Sequence, residues 1–216
     1  MKTNNTPAVS YNQPYEWLLW VAATAGGWVI GSLGNYLVSM ILGMTGLDAV
    51  INTDPAQIPD STKLILMGLS LALLLLIGLA VGALQWLVLR RHLTDVNRWA
   101  LFTGIGFALG AFALFAFMGL GAGLLQWMIL RRALNRKTGW WPVISAVAWP
   151  IGYMFGGALG FELGTALGSP FLGGILSAVF IGFIIGSVTG AVLLWILREN
   201  QDLLTSLRQE AAETRP

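Results

Sequence analysis

GLAVGALQWLVLRR, at residues 78–91, recurs as GLGAGLLQWMILRR at residues 119–132 and, in a looser form, as GSVTGAVLLWILRE at residues 186–199. In each copy, two glycines four residues apart lead into an apolar run that ends with a tryptophan and an arginine. Small residues let helices approach closely inside a membrane, and tryptophan and arginine are typical of the place where a transmembrane helix meets water. The motif therefore predicts three membrane helices with closely packed faces and anchored ends.

The composition of the 216-residue chain favours the same environment, since 56% of its residues are hydrophobic and only 10% are charged. Soluble domains carry about 25% charged residues, so we expect lipid around most of this chain. The basic residues lie in short segments between apolar runs, which is typical of topology signals and not of a nucleic-acid site. With no cysteine and one histidine, the chain offers no thiolate nucleophile and no cysteine or histidine metal site. We expect neither enzymatic activity nor a cofactor.

Each closing motif follows an opening half in which two aromatic residues and a glycine keep a fixed spacing. The opening residues are Trp20, Trp28 and Gly31, then Trp99, Phe107 and Gly110, then Trp141, Trp149 and Gly152. These halves define three units, at residues 17–91, 98–132 and 139–199, within one transmembrane domain at residues 17–199. Residues 1–16 form a polar N-terminal segment, and residues 200–216 form a predicted cytoplasmic amphipathic tail. The predicted fold is an all-α polytopic integral membrane protein made of three glycine-rich helical hairpins.

The second unit leaves the number of membrane segments open. As one helix, its apolar run of 32 residues at 99–130 would span about 48 Å, against a hydrocarbon core of about 30 Å, whereas a hairpin would have two short arms. A hairpin places 11 of the 12 Lys and Arg residues on one face, and a single helix splits them 8 to 4. The positive-inside rule favours the hairpin, with six segments and both termini in the cytoplasm. Because no Pro, Asn, Asp or Ser occurs between residues 104 and 125 to form an apex, five transmembrane helices remain the alternative.

Glycines four residues apart predict seams along which helices touch. A glycine costs about 1 kcal/mol relative to alanine within a soluble helix, and close backbone contact is the compensation that lipid permits. The predicted packing residues are Gly27, Gly31, Gly78, Gly82, Gly119, Gly123, Gly152, Gly156, Gly160, Gly164, Gly186 and Gly190. The spacing leaves open whether the seams join helices of one chain or of two.

Aromatic and basic side chains near the ends of the closing helices predict interfacial anchors. A guanidinium over an indole stabilises by about 0.5–2 kcal/mol and holds the helix end at the depth of the lipid headgroups. The predicted pairs are Trp86 with Arg90, Trp127 with Arg131, and Trp195 with Arg198. The alternative is a site for an anionic-lipid or pigment headgroup, formed by Arg90, Arg91, Arg131 and Arg132.

A few polar side chains within apolar runs are further candidates. Gln85 and Gln126 are expected to bond each other between units one and two, and the functional alternative is a polar lining for a small solute, shared with Asn35. Glu162, the only carboxylate inside an apolar run, lies about 33 Å along its helix and is expected to snorkel or cap at the far interface. Proton or cation handling is its alternative. His92 is expected to be solvated in a loop.

The phrases GALQWLVLRR, TGWWPVISAVAWPIG and GSVTGAVLLWILR resemble those of uncharacterised repeat-containing polytopic membrane proteins of cyanobacteria and other filamentous bacteria. The resemblance covers residues 17–199 and implies the same fold in a bacterial inner membrane or a thylakoid membrane. It implies no activity. The short second unit, Pro142 and Pro150 depart from the usual pattern of these proteins.

The residues themselves favour a non-catalytic role, as an accessory, assembly or scaffold subunit of a larger membrane complex or as a homo-oligomer. The expected partners are the lipid bilayer and other membrane subunits or a second copy, and no nucleic acid. The alternative is a channel or carrier for a small solute or ion, lined by Gln85, Gln126 and Asn35.

Overall fold

A computed structural model describes residues 13–44, 58–112, 118–134 and 137–206, and every regular element in these ranges is helical. The helices are α1 (Gln13–Met44), α2 (Asp60–Leu89), α3 (Trp99–Phe112), α4 (Met118–Ala133), α5 (Trp140–Ile151), α6 (Gly157–Ala166) and α7 (Pro170–Glu199), with a π-helical turn at Gly152–Gly156 between α5 and α6. The predicted all-α class is confirmed. Of the predicted tail, residues 201–206 are helical, and Leu204 packs against the core.

Among the described residues, four helical stretches are long and apolar enough to cross a membrane: Gln13–Met44, Asp60–Leu89, Trp140–Ala166 and Pro170–Glu199. Their length and composition agree with the predicted class of helical membrane protein. In the second unit, α3 and α4 have 14 and 16 residues, or about 21 and 24 Å, so each is shorter than a hydrocarbon core of about 30 Å. The two pack against each other in antiparallel fashion, with Gly106 on Ala122 and Thr103 beside Gln126.

The helices form a closed ring. Along the ring α1 contacts α2, α2 contacts α3, α3 contacts α4, α4 contacts α5, α5 contacts α7, and α7 returns to α1. The π turn and α6 also pack on α7. Arginines 90, 131 and 198 lie at one end of this ring, which we call the arginine end, together with the first residues of α1, α3 and α5.

The prolines and turn residues of the third unit explain its shape. Pro142 occupies the first turn of α5, where no intrahelical N–H is needed, whereas Pro150 removes one, and the π turn follows it directly. Gly168 ends the hairpin arm with φ +63°, a left-handed conformation that favours glycine. The next helix begins at once, because the Ser169 hydroxyl accepts a hydrogen bond from the Leu172 N–H and Pro170 takes the first helical position.

All twelve predicted packing glycines lie against a neighbouring helix of the same chain. A Cβ built on any of them would lie 3.0 Å or less from an atom of another helix. Gly27 and Gly31 face α2, Gly152, Gly156, Gly160 and Gly164 face α7, and the closing glycines of α2, α4 and α7 face α3, α5 and α1. By contrast, Gly34 and Gly43 have nothing within 4 Å of such a Cβ, so α1 loses its close contact with α2 beyond Gly31.

Candidate functional site: an interhelical tryptophan and glutamine network

Three tryptophans from the beginnings of α1, α3 and α5 meet inside the ring near its arginine end. Trp20, Trp99 and Trp141 are each at most 1% exposed, and their ring centroids lie 5.8–6.0 Å apart, close to edge-to-face. Such spacing is favourable for aromatic pairs. We call this triangle the first aromatic layer.

Gln85 ties three helices together beside this layer. Its side-chain carbonyl accepts a hydrogen bond from the Trp99 indole N–H at 3.1 Å, and its amide donates to the Thr24 hydroxyl at 3.1 Å. Thr24 in turn donates to the Trp20 carbonyl of its own helix. Both the oxygen and the nitrogen of the amide are therefore hydrogen-bonded between α1, α2 and α3, and 5% of the residue is exposed.

Gln126 repeats the arrangement one unit later. Its carbonyl accepts from the Trp141 indole N–H at 2.9 Å, and its amide donates to the Thr103 hydroxyl at 2.7 Å. Thr103 donates to the Trp99 carbonyl. This second bridge joins α3, α4 and α5.

The acceptor of the third tryptophan, Trp20, lies one helical turn before the position that corresponds to Gln85 and Gln126. Leu193 stands where Gln85 and Gln126 would predict an amide, and the Trp20 indole N–H instead donates to the Thr189 hydroxyl at 3.0 Å. Because Thr189 lies on α7 and Trp20 on α1, this bond joins the last helix to the first. All three indoles of the layer are thus paired.

The expectation that Gln85 and Gln126 bond each other is wrong. Helix α3 lies between α2 and α4 in the ring, so each amide meets an indole and a hydroxyl before it could reach the other amide. Sequence reasoning missed these hydroxyls. A signal was present, since a threonine or serine follows each tryptophan by four residues, as Thr24, Thr103 and Ser145.

A second aromatic layer lies about 12 Å from the first along the helix axes, because its residues follow those of the first layer by eight positions. Trp28, Phe107 and Trp149 have ring centroids 4.4–6.0 Å apart, and each is at most 6% exposed. Met118 and Ile185 pack in the same cluster. The two layers fill the middle of the ring with aromatic rings.

Asn35 does not join the glutamines. It lies 11 residues beyond Thr24 on α1, about 16 Å away, on the other side of the second aromatic layer. There it lines a cavity of about 310 Å³ together with Ser32, Ser70 and Tyr153. A continuous polar lining through Gln85, Gln126 and Asn35 is therefore absent from the described ranges.

No family model, curated protein or solved structure matches this chain. What the network can do must be judged from its own chemistry, which consists of neutral amides, hydroxyls and indoles already bonded to one another. The described residues contain no group of three or more His, Asp or Glu side chains placed to hold a metal ion. The geometry is that of a hydrogen-bonded link between helices.

Two of the predicted interfacial pairs lie in contact, and the third has a different cation. The Arg90 and Arg131 guanidinium carbons each lie 4.8 Å from the ring centroid of the tryptophan one turn before them, Trp86 and Trp127. Over Trp195 the cation is the Lys137 ammonium, at 5.7 Å. Arg198 instead lines a surface recess with Trp17 and Trp195. The remaining predicted arginines, Arg91 and Arg132, are exposed at the arginine end.

Glu162 and His92 differ in how well their surroundings were predicted from the sequence. Glu162 is exposed on α6, far from the arginine end, where its position along the helix predicted it. His92, expected to be solvated, is not: its side chain is 9% exposed and its Nε2 lies 3.1 Å from a Glu16 carboxylate oxygen. The pair joins the start of α1 to the turn after α2, a contact over 76 residues that local sequence could not reveal.

Proposed function

We propose that this chain is a non-catalytic membrane protein that serves as an accessory, assembly or scaffold subunit of a larger membrane complex, or that forms a homo-oligomer. The supporting observation is the Trp–Gln–Thr network. Its polar groups are consumed in joining the chain's own helices, and two aromatic layers close the middle of the ring. A rigid bundle of this kind offers its outer surface, and not its interior, to other molecules.

We propose further that the bundle consists of three glycine-packed hairpin repeats with six membrane segments, the middle hairpin being short. Equivalent contacts support the repeats, because Trp20, Trp99 and Trp141 each lie in the first part of an opening helix and each donate to a closing helix of another unit. The 11 to 1 division of basic residues supports placing both termini in the cytoplasm of a bacterial cell, with the bundle in the inner or thylakoid membrane.

A channel or carrier lined by the glutamines is less well supported. A solute path needs polar groups that are free to exchange partners with the solute, whereas Gln85 and Gln126 each have both amide ends occupied inside a buried layer. Breaking such bonds in an apolar interior costs about 1–3 kcal/mol for each stranded group.

The test is to extract the tagged, full-length chain from its own membrane in mild detergent, identify what remains bound, and measure solute flux in liposomes that contain the purified protein. A stoichiometric membrane partner or a defined homo-oligomer, without flux above that of empty liposomes, is the expected result. Flux that is abolished in a folded Gln85→Leu variant would overturn the proposal in favour of a channel.

A further inference from the structure

A pocket of about 180 Å³ lies between α3 and α4 at the arginine end, and two arginines line it. Arg98 directly precedes α3 and Arg132 lies in the last turn of α4, so the antiparallel pair of helices brings both side chains to one place. Asp95 completes the polar lining, and Phe102 and Ile129 form the apolar part. This α3–α4 pocket lies on the outer surface of the short second unit, since its three charged residues are exposed.

The charges of the α3–α4 pocket have no partner within the described part of the chain. Neither Arg98 nor Arg132 forms an ion pair or a cation–π contact there, and Asp95 forms no ion pair with either of them. Arg98 also stands before the N-terminus of a 14-residue helix, where the helix dipole disfavours a cation and favours an anion. An anion bound between the two arginines would offset both this effect and their mutual repulsion.

The other two units show that unmatched charge at this place is particular to the second unit. Glu16, Asp95 and Lys137 each precede the first-layer tryptophan of their unit by four residues. The Nε2 of His92 lies 3.1 Å from a Glu16 carboxylate oxygen, and the Lys137 ammonium lies 5.7 Å from the ring centroid of Trp195. Units one and three therefore match this charge inside the chain, whereas the charges of unit two face the surroundings.

The neighbouring surface indicates that the anion belongs to a lipid. The α3–α4 pocket lies beside the interfacial cation–π pair of α4, which is typical of the depth of lipid headgroups. Away from the arginine end, Leu109 follows Arg98 by eleven residues and Met128 precedes Arg132 by four, spacings that keep each pair on one helix face. Leu109 is 56% exposed and Met128 is 39% exposed. A phosphate held by the arginines would therefore place its acyl chains against apolar side chains.

We propose that Arg98 and Arg132 bind the phosphate of one anionic phospholipid, whose acyl chains lie against α3 and α4. Guanidinium groups bind phosphate oxygens through charge-assisted hydrogen bonds. Two arginines and one aspartate leave the α3–α4 pocket with a single positive charge, which matches a singly charged phosphodiester such as that of phosphatidylglycerol. Its volume is below the about 300–1,000 Å³ of most small-molecule sites, so it fits a headgroup and not a complete lipid. The proposal rests on the membrane location and not on the scaffold role.

The experiment counts the phospholipids bound to the full chain by native mass spectrometry in mild detergent, during titration with dioleoylphosphatidylglycerol or dioleoylphosphatidylcholine. Arg98→Gln and Arg132→Gln should each weaken binding of the first phosphatidylglycerol about 5–10-fold, as loss of one hydrogen bond implies, and should leave the weaker binding of phosphatidylcholine unchanged. The matched control is Arg91→Gln, which removes the same charge from the corresponding position of unit one. It should change the affinity by no more than about twofold, as expected for an exposed charge.

Inorganic phosphate serves as a competitor that lacks acyl chains, and it should not displace the lipid. Far-UV circular dichroism and gel filtration verify that each variant folds. Equal losses in Arg91→Gln and Arg132→Gln would indicate a general attraction of the arginine end for anions, and displacement by inorganic phosphate would assign the α3–α4 pocket to a free phosphate; either result overturns the proposal. Unchanged binding in Arg98→Gln and Arg132→Gln also overturns it, and loss of a co-purifying protein from those variants would then assign the arginines to an acidic protein partner.

Discussion

Replacement of Gln85 by leucine should destabilise the bundle by a predictable amount. Leucine is close to glutamine in size, so the change removes two hydrogen bonds without opening a large cavity. Thr24 keeps its bond to a backbone carbonyl, whereas the indole N–H of Trp99, a residue with 0% exposure, loses its acceptor. Interhelical hydrogen bonds in membranes average about 0.6 kcal/mol and a stranded buried donor costs about 1–3 kcal/mol, so we expect a loss of about 1–3 kcal/mol.

The third unit shows which second substitution should restore an acceptor for the indole N–H. There Leu193 stands at the position of the glutamine, and Thr189, four residues earlier, accepts the indole hydrogen bond. The corresponding residue before Gln85 is Val81, which is fully buried and nearly the same shape as threonine. Val81→Thr combined with Gln85→Leu should therefore return about 1 kcal/mol, the net value of one restored hydrogen bond.

The assay is reversible unfolding in mixed micelles by titration with sodium dodecyl sulfate, followed by far-UV circular dichroism. Gln85→Leu and Gln126→Leu should be additive in the double variant within about 0.5 kcal/mol, since the two amides share no partner. A double variant no less stable than either single one would refute the network, because that pattern requires the amides to bond each other. Failure of Val81→Thr to recover any stability would refute the equivalence of the units.

Two further predictions concern packing and topology. Gly156→Ala should lower the free energy of unfolding, because its Cβ would lie 2.5 Å from the backbone nitrogen of Ile181, whereas Gly34→Ala, with nothing within 4 Å, should be neutral or stabilising by up to about 1 kcal/mol; equal losses in the same titration would remove the close-contact argument. Single cysteines at Thr6 and Thr205 should both resist an impermeant thiol reagent in intact cells and react after permeabilisation, and labelling of only one from outside would mean an odd number of membrane segments.

Much of the architecture could be predicted from residue spacing. Glycines four residues apart lie on one helix face, and inside lipid such a face is useful only against another helix, so the seams could be located before their partners were known. The spacing could not say that the partner of Gly156 is Ile181 of the same chain. That depends on the order of helices around the ring, which no local pattern contains.

The polar network was only half predictable for the same reason. A glutamine in an apolar run requires a partner, and this requirement is visible in the sequence at Gln85 and Gln126. Thr24 and Thr103 follow Trp20 and Trp99 by four residues, but this spacing did not identify them as partners of the glutamines, because a threonine in a helix can satisfy its own hydroxyl by donating to the carbonyl four residues earlier, as both of these do. Their second role, as acceptors, exists only once α3 is placed between α2 and α4.

The bond between Trp20 and Thr189 has a consequence for how the protein is made. As the chain leaves the ribosome, the Gln85 and Gln126 bridges can form one after another between consecutive helices, but Trp20 waits through 169 residues of further synthesis for its acceptor. Until α7 is made, the helices form an open arc, and the indole N–H of Trp20 on the first helix lacks its Thr189 acceptor. Closure also brings Gln13 and Arg198, near the two chain ends, to the rim of one recess. The beginning of α1 and the end of α7 are therefore neighbours, and a gene that joins them and starts elsewhere in the ring would encode the same cycle of helices.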